Sequence, residues 1–112
     1  MEALERIVQE SVPGKQVTIA HVIAHPGTGI HERIGVPPGS SLGILTLSPC
    51  ETAIIAADVC AKEGDVEVGF LDRFTGSVVV LGEVDAVEAA IEGTCRMLRD
   101  VLGFCVAPVT RS

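Results

Sequence analysis

The segment Val66–Val84, VEVGFLDRFTGSVVVLGEV, decides the fold of this 112-residue chain. Two arms rich in Val, Leu and Phe flank a polar turn at Asp72–Gly76, and Gly76 can adopt the positive φ that a tight turn needs. The pattern therefore predicts a β-hairpin. Because Ser77–Leu81 is almost continuously apolar, we expect this second arm to be covered on both faces.

An Ala-rich segment before the hairpin predicts the first of two long helices. Ser48, Pro49 and Glu51 have the spacing of a capping box with proline at the first helical position, so the helix is expected to start there. It should run to about Glu63 and stop at Gly64. Its alanines favour close packing against a neighbouring element, because they keep side chains short.

The second long helix is predicted to follow the hairpin. Asp85 is its expected cap, with Glu88 at the capping-box position, and Gly103 is its expected end. Its apolar residues have the spacing of one helical face and are Val87, Ile91, Cys95, Leu98 and Leu102. We expect this stripe to pack on the sheet.

The remaining segments complete an α+β fold. Strands are predicted at Val17–Ala24, Leu42–Leu47 and Phe104–Thr110, and a short helix around Gly29–Ile34. The expected architecture is a mainly antiparallel sheet with helices packed on one face. The length predicts a single domain with one core.

The first 14 residues are predicted to form an arm outside the core. Leu4, Ile7 and Val8 suit one face of a helix, whereas Arg6–Val12 can also form a weak strand. Pro13-Gly14 then breaks the chain, because proline excludes its predecessor from a helix and glycine allows a turn. The local pattern slightly favours helix.

Composition excludes several classes of function. The formal net charge of −7 argues against binding to nucleic acid or to an anionic membrane, because both need a basic surface. The start, MEALERIVQE, is charged and unlike a signal peptide, and we expect a cytosolic protein. A hydrophobic fraction of 47% is high for so small a domain, so part of the apolar surface should lie between subunits.

The residues that could carry chemistry are few. His21 and His25 are about 13 Å apart if they lie on a strand, too far to share a metal ion, although His31 could approach His25. Cys50 is expected in the first turn of a helix and is the one cysteine that could be reactive or bind a cluster. Surface or hydrogen-bonded histidines are commoner than metal-binding ones, and a single cysteine is more often inert than reactive. We therefore predict no catalytic residues, no metal and no cofactor.

Three stretches together resemble a known family. They are VPGKQVTIAHVIAHPG (12–27), SLGILTLSPCETAIIAADVCAKEGDVEVGFLDRFTGSVVVLGEVDAVEAAI (41–91) and the ending VTRS. They are similar to the circularly permuted shell proteins of bacterial microcompartments, the EutS/PduU type of the BMC domain family, with choline-type CutR as a relative. The resemblance implies a permuted BMC domain over residues 15–112 that catalyses nothing. It also implies a homohexameric tile in the shell of a cytoplasmic microcompartment, joined to other shell proteins.

The resemblance assigns roles to individual residues. The arm would pair with its copies in a small parallel β-barrel over the hexamer centre, through Arg6, Ile7, Val8, Gln9 and Glu10. Lys62 would lie at the tile edge, with His25 or Arg111 in place of the usual edge arginine. The turn residues Asp72, Arg73, Phe74, Thr75 and Gly76 would occupy the region that lines the central pore, and we expect them to face other subunits near the symmetry axis.

Two other functions are compatible with the sequence. One is a small-molecule-binding or sensor oligomer on a similar α+β scaffold, with its ligand between subunits near His25 and His31. The other is an oligomeric enzyme or redox protein built around Cys50. The compartment could be of the ethanolamine, propanediol or choline type.

Overall fold

The computed structural model describes residues 15–27 and 29–112. Six strands form one sheet: β1 (Gln16–Ile23), β2 (Ser41–Ser48), β3 (Glu67–Asp72), β4 (Ser77–Gly82), β5 (Cys105–Val106) and β6 (Thr110–Arg111). Three helices are described: α1 (Ile30–Ile34), α2 (Thr52–Glu63) and α3 (Val84–Asp100). No helix among these residues is both long and apolar enough to cross a bilayer. The predicted arm, including the barrel strand that the resemblance implies at Arg6–Glu10, lies outside the described residues.

The sheet has the strand order β3-β4-β2-β1-β5, and β6 pairs with β1 beyond the end of β5. The β1–β2, β2–β4 and β3–β4 pairs are antiparallel, whereas β5 and β6 run parallel to β1. This confirms the predicted α+β class and mainly antiparallel sheet. The hairpin is confirmed as β3 and β4.

The core lies between one face of the sheet and the helices α2 and α3. Its strand residues are Val17, Ala20, Val22, Leu45, Leu47, Val78 and Val80, and its helix residues include Ala53, Ala56, Cys60, Val87, Ile91, Cys95 and Leu98. Gly43 brings α3 close to the sheet, since a Cβ at this position would lie 2.7 Å from Cγ1 of Ile91. The predicted stripe of the second long helix is confirmed, with Leu102 partly buried at its end.

The two arms of the hairpin differ in burial. Val78, Val80 and Leu81 of β4 are buried, whereas Val79 is half-buried. The expectation that both faces of this arm are covered is therefore met only in part, because the face that carries Val79 is partly open. By contrast, β3 is an edge strand with exposed residues along nearly its whole length. A register shift between Val68 and Phe70 interrupts its alternation.

The predicted capping box at Ser48 is wrong. Ser48 is the last residue of β2 and pairs with Gln16 of β1, so the sheet holds it in an extended conformation. The helix begins only at Thr52, after a turn in which the Thr52 N–H donates to the Pro49 carbonyl at 2.9 Å. Tertiary pairing here outweighs a local helix signal.

Two other boundaries are also corrected. Glu83, not Asp85, is the N-cap of α3, and Asp85 lies inside the first helical turn, where its negative charge suits the helix dipole. The predicted strand Phe104–Thr110 is divided into β5 and β6. Pro108 lies between them and has no N–H to donate to a ladder.

Candidate functional site

The turn between β3 and β4 is closed by its own polar groups. The carboxylate of Asp72 accepts hydrogen bonds from the backbone N–H of Phe74 at 2.9 Å and of Thr75 at 3.4 Å. The Phe74 N–H is the main reason that the pKa of Asp72 lies below its ordinary value. The Gly76 N–H donates to the Asp72 carbonyl at 2.8 Å. The turn is therefore a defined, hydrogen-bonded structure.

The tip of this turn presents a cation and an aromatic ring. The side chain of Phe74 is the most exposed large apolar group described, at 77%. The guanidinium carbon of Arg73 lies 5.0 Å from the centroid of the Phe74 ring, within the range of a cation–π contact. Arg73 forms no ion pair with the residues of ranges 15–27 and 29–112. An exposed pair of this kind suits contact with another molecule.

Strand pairing places the turn at one end of the sheet, which we call the turn end. Gln16 pairs with both Ser48 and Cys105, and Asp72 pairs with Ser77, so the start of β1, the end of β2 and the start of β5 lie at that end. The described chain starts at Lys15, directly before β1. Residues 1–14 are therefore attached at the turn end.

The opposite, or far, end holds the three predicted tile-edge residues. His25 follows β1 and lines a shallow pocket of about 470 Å³ with Gly82 and Glu83. Lys62 is in the last turn of α2, which ends beside the start of α3, since a Cβ on Gly64 would lie 2.6 Å from the Ala86 carbonyl oxygen. Arg111 contacts Glu88 of α3.

These edge residues differ in the ion pairs that they form with other residues of the same chain. Lys62 is 71% exposed and pairs with Asp58 at 2.8 Å, one helical turn away. Arg111 donates from Nε to Glu88 at 2.8 Å and from Nη2 to Glu92, which raises the pKa of Arg111. Arg111 thus ties β6 to α3. His25 is the exposed alternative for the edge position.

The histidines have separate structural roles. His21 lies between Thr110 Oγ1 at 2.6 Å and Ser112 Oγ at 2.7 Å, and His31 Nε2 donates to the Ser40 carbonyl at 2.8 Å. No group of three or more potential metal ligands occurs in the described part of the chain. The His21 cluster was missed from the sequence, because it joins residues about 90 positions apart.

The cysteines are all free thiols. Cys60 and Cys95 are buried between the helices, and burial raises the pKa of Cys60 and raises that of Cys95 to about 11. Cys50 lies in the turn before α2, not in the first helical turn as predicted. It therefore lacks the helix position on which the alternative of a reactive Cys50 rested.

One lateral edge of the sheet presents apolar surface, and the other has a groove of mixed polar and apolar lining. The β3 edge carries Val68, Phe70 and Leu71, and Ile54 and Ile55 are exposed on α2. The other edge has a groove of about 410 Å³ between α3 and residues 106–109. The high hydrophobic content predicted such surfaces, but only the strand order shows where they lie.

The chain is similar to proteins of one family. The BMC domain matches residues 41–109. Three curated relatives are bacterial microcompartment shell proteins: EutS of Escherichia coli (strain K12), PduU of Salmonella typhimurium and CutR of Streptococcus intermedius. EutS is 52% identical over 96% of this chain and 97% of its own length, PduU 49% over 96% and 94%, and CutR 46% over 97% and 94%.

Solved structures of CutR share the fold. A flat CutR hexamer aligns with a TM-score of 0.86 at 44% identity, over 91% of this chain and 94% of that chain. A CutR screw with a pitch of 41.9 Å aligns with a TM-score of 0.85 at 43% identity, over 89% and 100%.

Proposed function

Because this chain belongs to the BMC domain family and is a bacterial microcompartment shell protein, we propose that six copies of it form a hexameric tile of the shell wall. The similarity extends over nearly the whole length of the chain and its relatives. The fold is α+β with a mixed sheet, as in the CutR hexamers that it resembles. The role is structural: the tile forms part of a wall and performs no reaction.

The main support for the tile is that the turn residues and the predicted edge residues lie at opposite ends of the sheet. The turn Asp72–Gly76 and the attachment of residues 1–14 lie at the turn end, whereas His25 and Lys62 lie at the far end. A subunit with this separation can place the turn end at a six-fold axis and the far end at the rim. We assign the turn to the centre and His25 and Lys62 to the tile edge.

The arm fits the same arrangement. Since it joins the fold at the turn end, six arms would project beside the axis, where strands from Arg6–Glu10 could pair into a barrel. A closed barrel would satisfy the backbone groups that a single strand leaves unpaired. With Arg73 and Phe74 also near the axis, the centre would be crowded rather than a simple open pore.

A permuted order of elements is supported by where the family match begins. The BMC domain matches from residue 41, so β1 and α1 precede it in the chain. Yet β1 occupies an interior place in the sheet, between β2 and β5. We propose that residues 15–112 form one permuted domain in which this strand and helix have moved to the front.

The partners of the tile would be other copies and other shell proteins of the same compartment. Exposed Lys62 and His25 at the far end supply polar groups for contacts between tiles. The chain is 52%, 49% and 46% identical to EutS, PduU and CutR, respectively. A compartment of the ethanolamine, propanediol or choline type therefore fits the chain.

Native mass spectrometry of the purified full chain tests this proposal. We expect a dominant species of six subunits, each of 11.7 kDa, that persists on dilution to micromolar concentration. Larger sheets or tubes at high concentration would accompany it. A protein that remains monomeric at every concentration, and that never enters sheets or shells, would rule out the tile.

A further inference from the structure

The two-residue strand β6 and the residue that follows it are held by polar contacts rather than by burial. Thr110 pairs with His21, Arg111 pairs with Val22, and Ser112 follows Arg111. Residues 110–112 are all exposed. Because so short a strand is held only weakly by its ladder, the contacts of its side chains must fix its position. We call residues 110–112 the clasp.

Arg111 fixes the clasp from the helix-covered side of the sheet. Its pair partner Val22 lies in the core, and the guanidinium of Arg111 reaches α3. Its Nε donates to Glu88 at 2.8 Å, and its Nη2 donates to Glu92. An isolated exposed ion pair contributes little, but a guanidinium shared by two carboxylates has a defined geometry. Arg111 also offsets the repulsion between these carboxylates, which lie one helical turn apart.

His21 fixes the clasp from the opposite side. Successive side chains of a strand point to opposite faces, so Thr110 and Ser112 lie on the face away from Arg111. The His21 ring lies between their hydroxyl groups, 2.6 Å from Thr110 Oγ1 and 2.7 Å from Ser112 Oγ. Because a hydroxyl both donates and accepts, a neutral imidazole can satisfy one hydroxyl with each of its nitrogens. The clasp is therefore held from both faces of the sheet.

The clasp in turn holds the backbone directly before His25. The Ala24 N–H donates to the Ser112 carbonyl at 3.0 Å, and the Ser112 N–H donates to the Val22 carbonyl at 2.9 Å. The hydroxyl of buried Ser41 donates to the Ala24 carbonyl at 2.7 Å. Both backbone groups of Ala24 are thus paired, one of them with the clasp.

This pairing determines the direction in which the His25 side chain leaves the surface. His25 is exposed, so packing against other side chains does little to orient it. Its backbone is restricted on both sides, because Ala24 cannot rotate without losing a hydrogen bond and Pro26 excludes its predecessor from the helical region. The direction of His25 therefore depends on the clasp.

We propose that the clasp is a positioning element of the tile edge, which directs His25 towards the neighbouring tile and thereby controls contact between tiles. This rests on the proposed tile and names the residues that regulate its edge. When the clasp is released, the Ala24 N–H loses its partner and His25 adopts several directions. Ordering His25 again on contact costs conformational entropy, so contact between tiles weakens.

Release of the clasp tests this proposal in two measurements. Arg111→Gln removes the guanidinium, and hydrogen exchange of the Ala24 amide in the hexamer should become at least about 10-fold faster. The subunit concentration at which hexamers assemble into sheets, followed by light scattering and electron microscopy, should rise about 10-fold. Arg111→Lys keeps the charge and should restore part of both effects. Arg99→Gln removes another exposed, ion-paired arginine, at the turn end, and should change neither.

A double-mutant cycle with His25 separates positioning from a general loss of structure. His25→Ala alone should also raise the sheet-forming concentration about 10-fold. If Arg111 acts through His25, Arg111→Gln should add almost nothing in the His25→Ala background. Thr110→Val/Ser112→Ala removes both hydroxyl groups from His21 and should behave like Arg111→Gln. It replaces Arg111→Gln if circular dichroism shows that this variant does not fold.

The outcomes distinguish the clasp from the tile itself. A parent chain that is not hexameric removes the tile. A parent that forms hexamers but never sheets overturns the role of the clasp alone, because no contact between tiles then exists for His25 to make. Unchanged exchange at Ala24, an unchanged sheet-forming concentration or additive effects in the cycle also overturn it. So does dissociation of the Arg111→Gln hexamer, because the clasp would then hold contacts within one tile.

Discussion

Replacing Gly76 with alanine is expected to lower the free energy of unfolding by about 3 kcal/mol, because two costs combine. Gly76 has φ of +81°, in the left-handed region, which costs an alanine about 1–2 kcal/mol. An added Cβ would also overlap the Leu47 carbonyl oxygen and lie 3.2 Å from the Cys50 Cα. Both neighbours are backbone, so the turn itself must shift.

Gly39→Ala is the matched control for this change. Gly39 also has positive φ, +87°, but nothing lies within 4 Å of a Cβ built there. It should lose only the conformational cost, about 1–2 kcal/mol. Thermal unfolding at one fixed subunit concentration should place Gly76→Ala about 15 °C below the parent and clearly below Gly39→Ala. Equal midpoints for the two variants would contradict the close contact at the turn.

Replacing Ile91 with alanine is expected to destabilise the fold by about 3–4 kcal/mol. Ile91 is fully buried at the contact between α3 and the sheet, where Gly43 leaves room for its side chain. Truncation removes apolar atoms from the core and leaves a cavity, since the sheet below cannot follow the shortened side chain.

Ile54→Ala supplies the comparison for Ile91. Ile54 has the same side chain on the neighbouring helix but is 48% exposed, so its loss should cost less than about 1 kcal/mol. Chemical unfolding at fixed subunit concentration measures both. An Ile91→Ala variant as stable as Ile54→Ala would show that α3 does not pack on the sheet as described.

The hairpin and the stripe of α3 could be predicted because local patterns and tertiary packing agree there. Val78 and Val80 are both strand-forming and buried, and Val87, Ile91, Cys95 and Leu98 recur at helical spacing. Ser48 shows the opposite case. Its capping-box spacing is a local signal, but pairing of Ser48 with Gln16 across the sheet overrides it.

The residues of the candidate surfaces could be predicted, but their positions in the fold could not. The residues of the turn and of the tile edge were identified by resemblance, and their separation to opposite ends follows from strand directions that no local pattern contains. The positions of the apolar β3 edge and of the groove beside α3 depend on which strands form the two edges of the sheet. Similarly, His21 meets Thr110 and Ser112 only because β6 returns beside β1.

Distances between equivalent spin labels in isolated hexamers test most directly which end of the sheet faces the six-fold axis. Labels are placed at Phe74→Cys or Lys62→Cys after Cys50 and Cys105 are changed to serine, while buried Cys60 and Cys95 remain. In a six-fold ring, the distance between neighbouring labels equals their distance from the axis. An eight-residue strand spans about 26 Å. Neighbouring labels at Phe74 are therefore expected to be about 26 Å closer together than neighbouring labels at Lys62. Equal distances, or shorter ones for Lys62, would contradict a tile centred on the turn Asp72–Gly76.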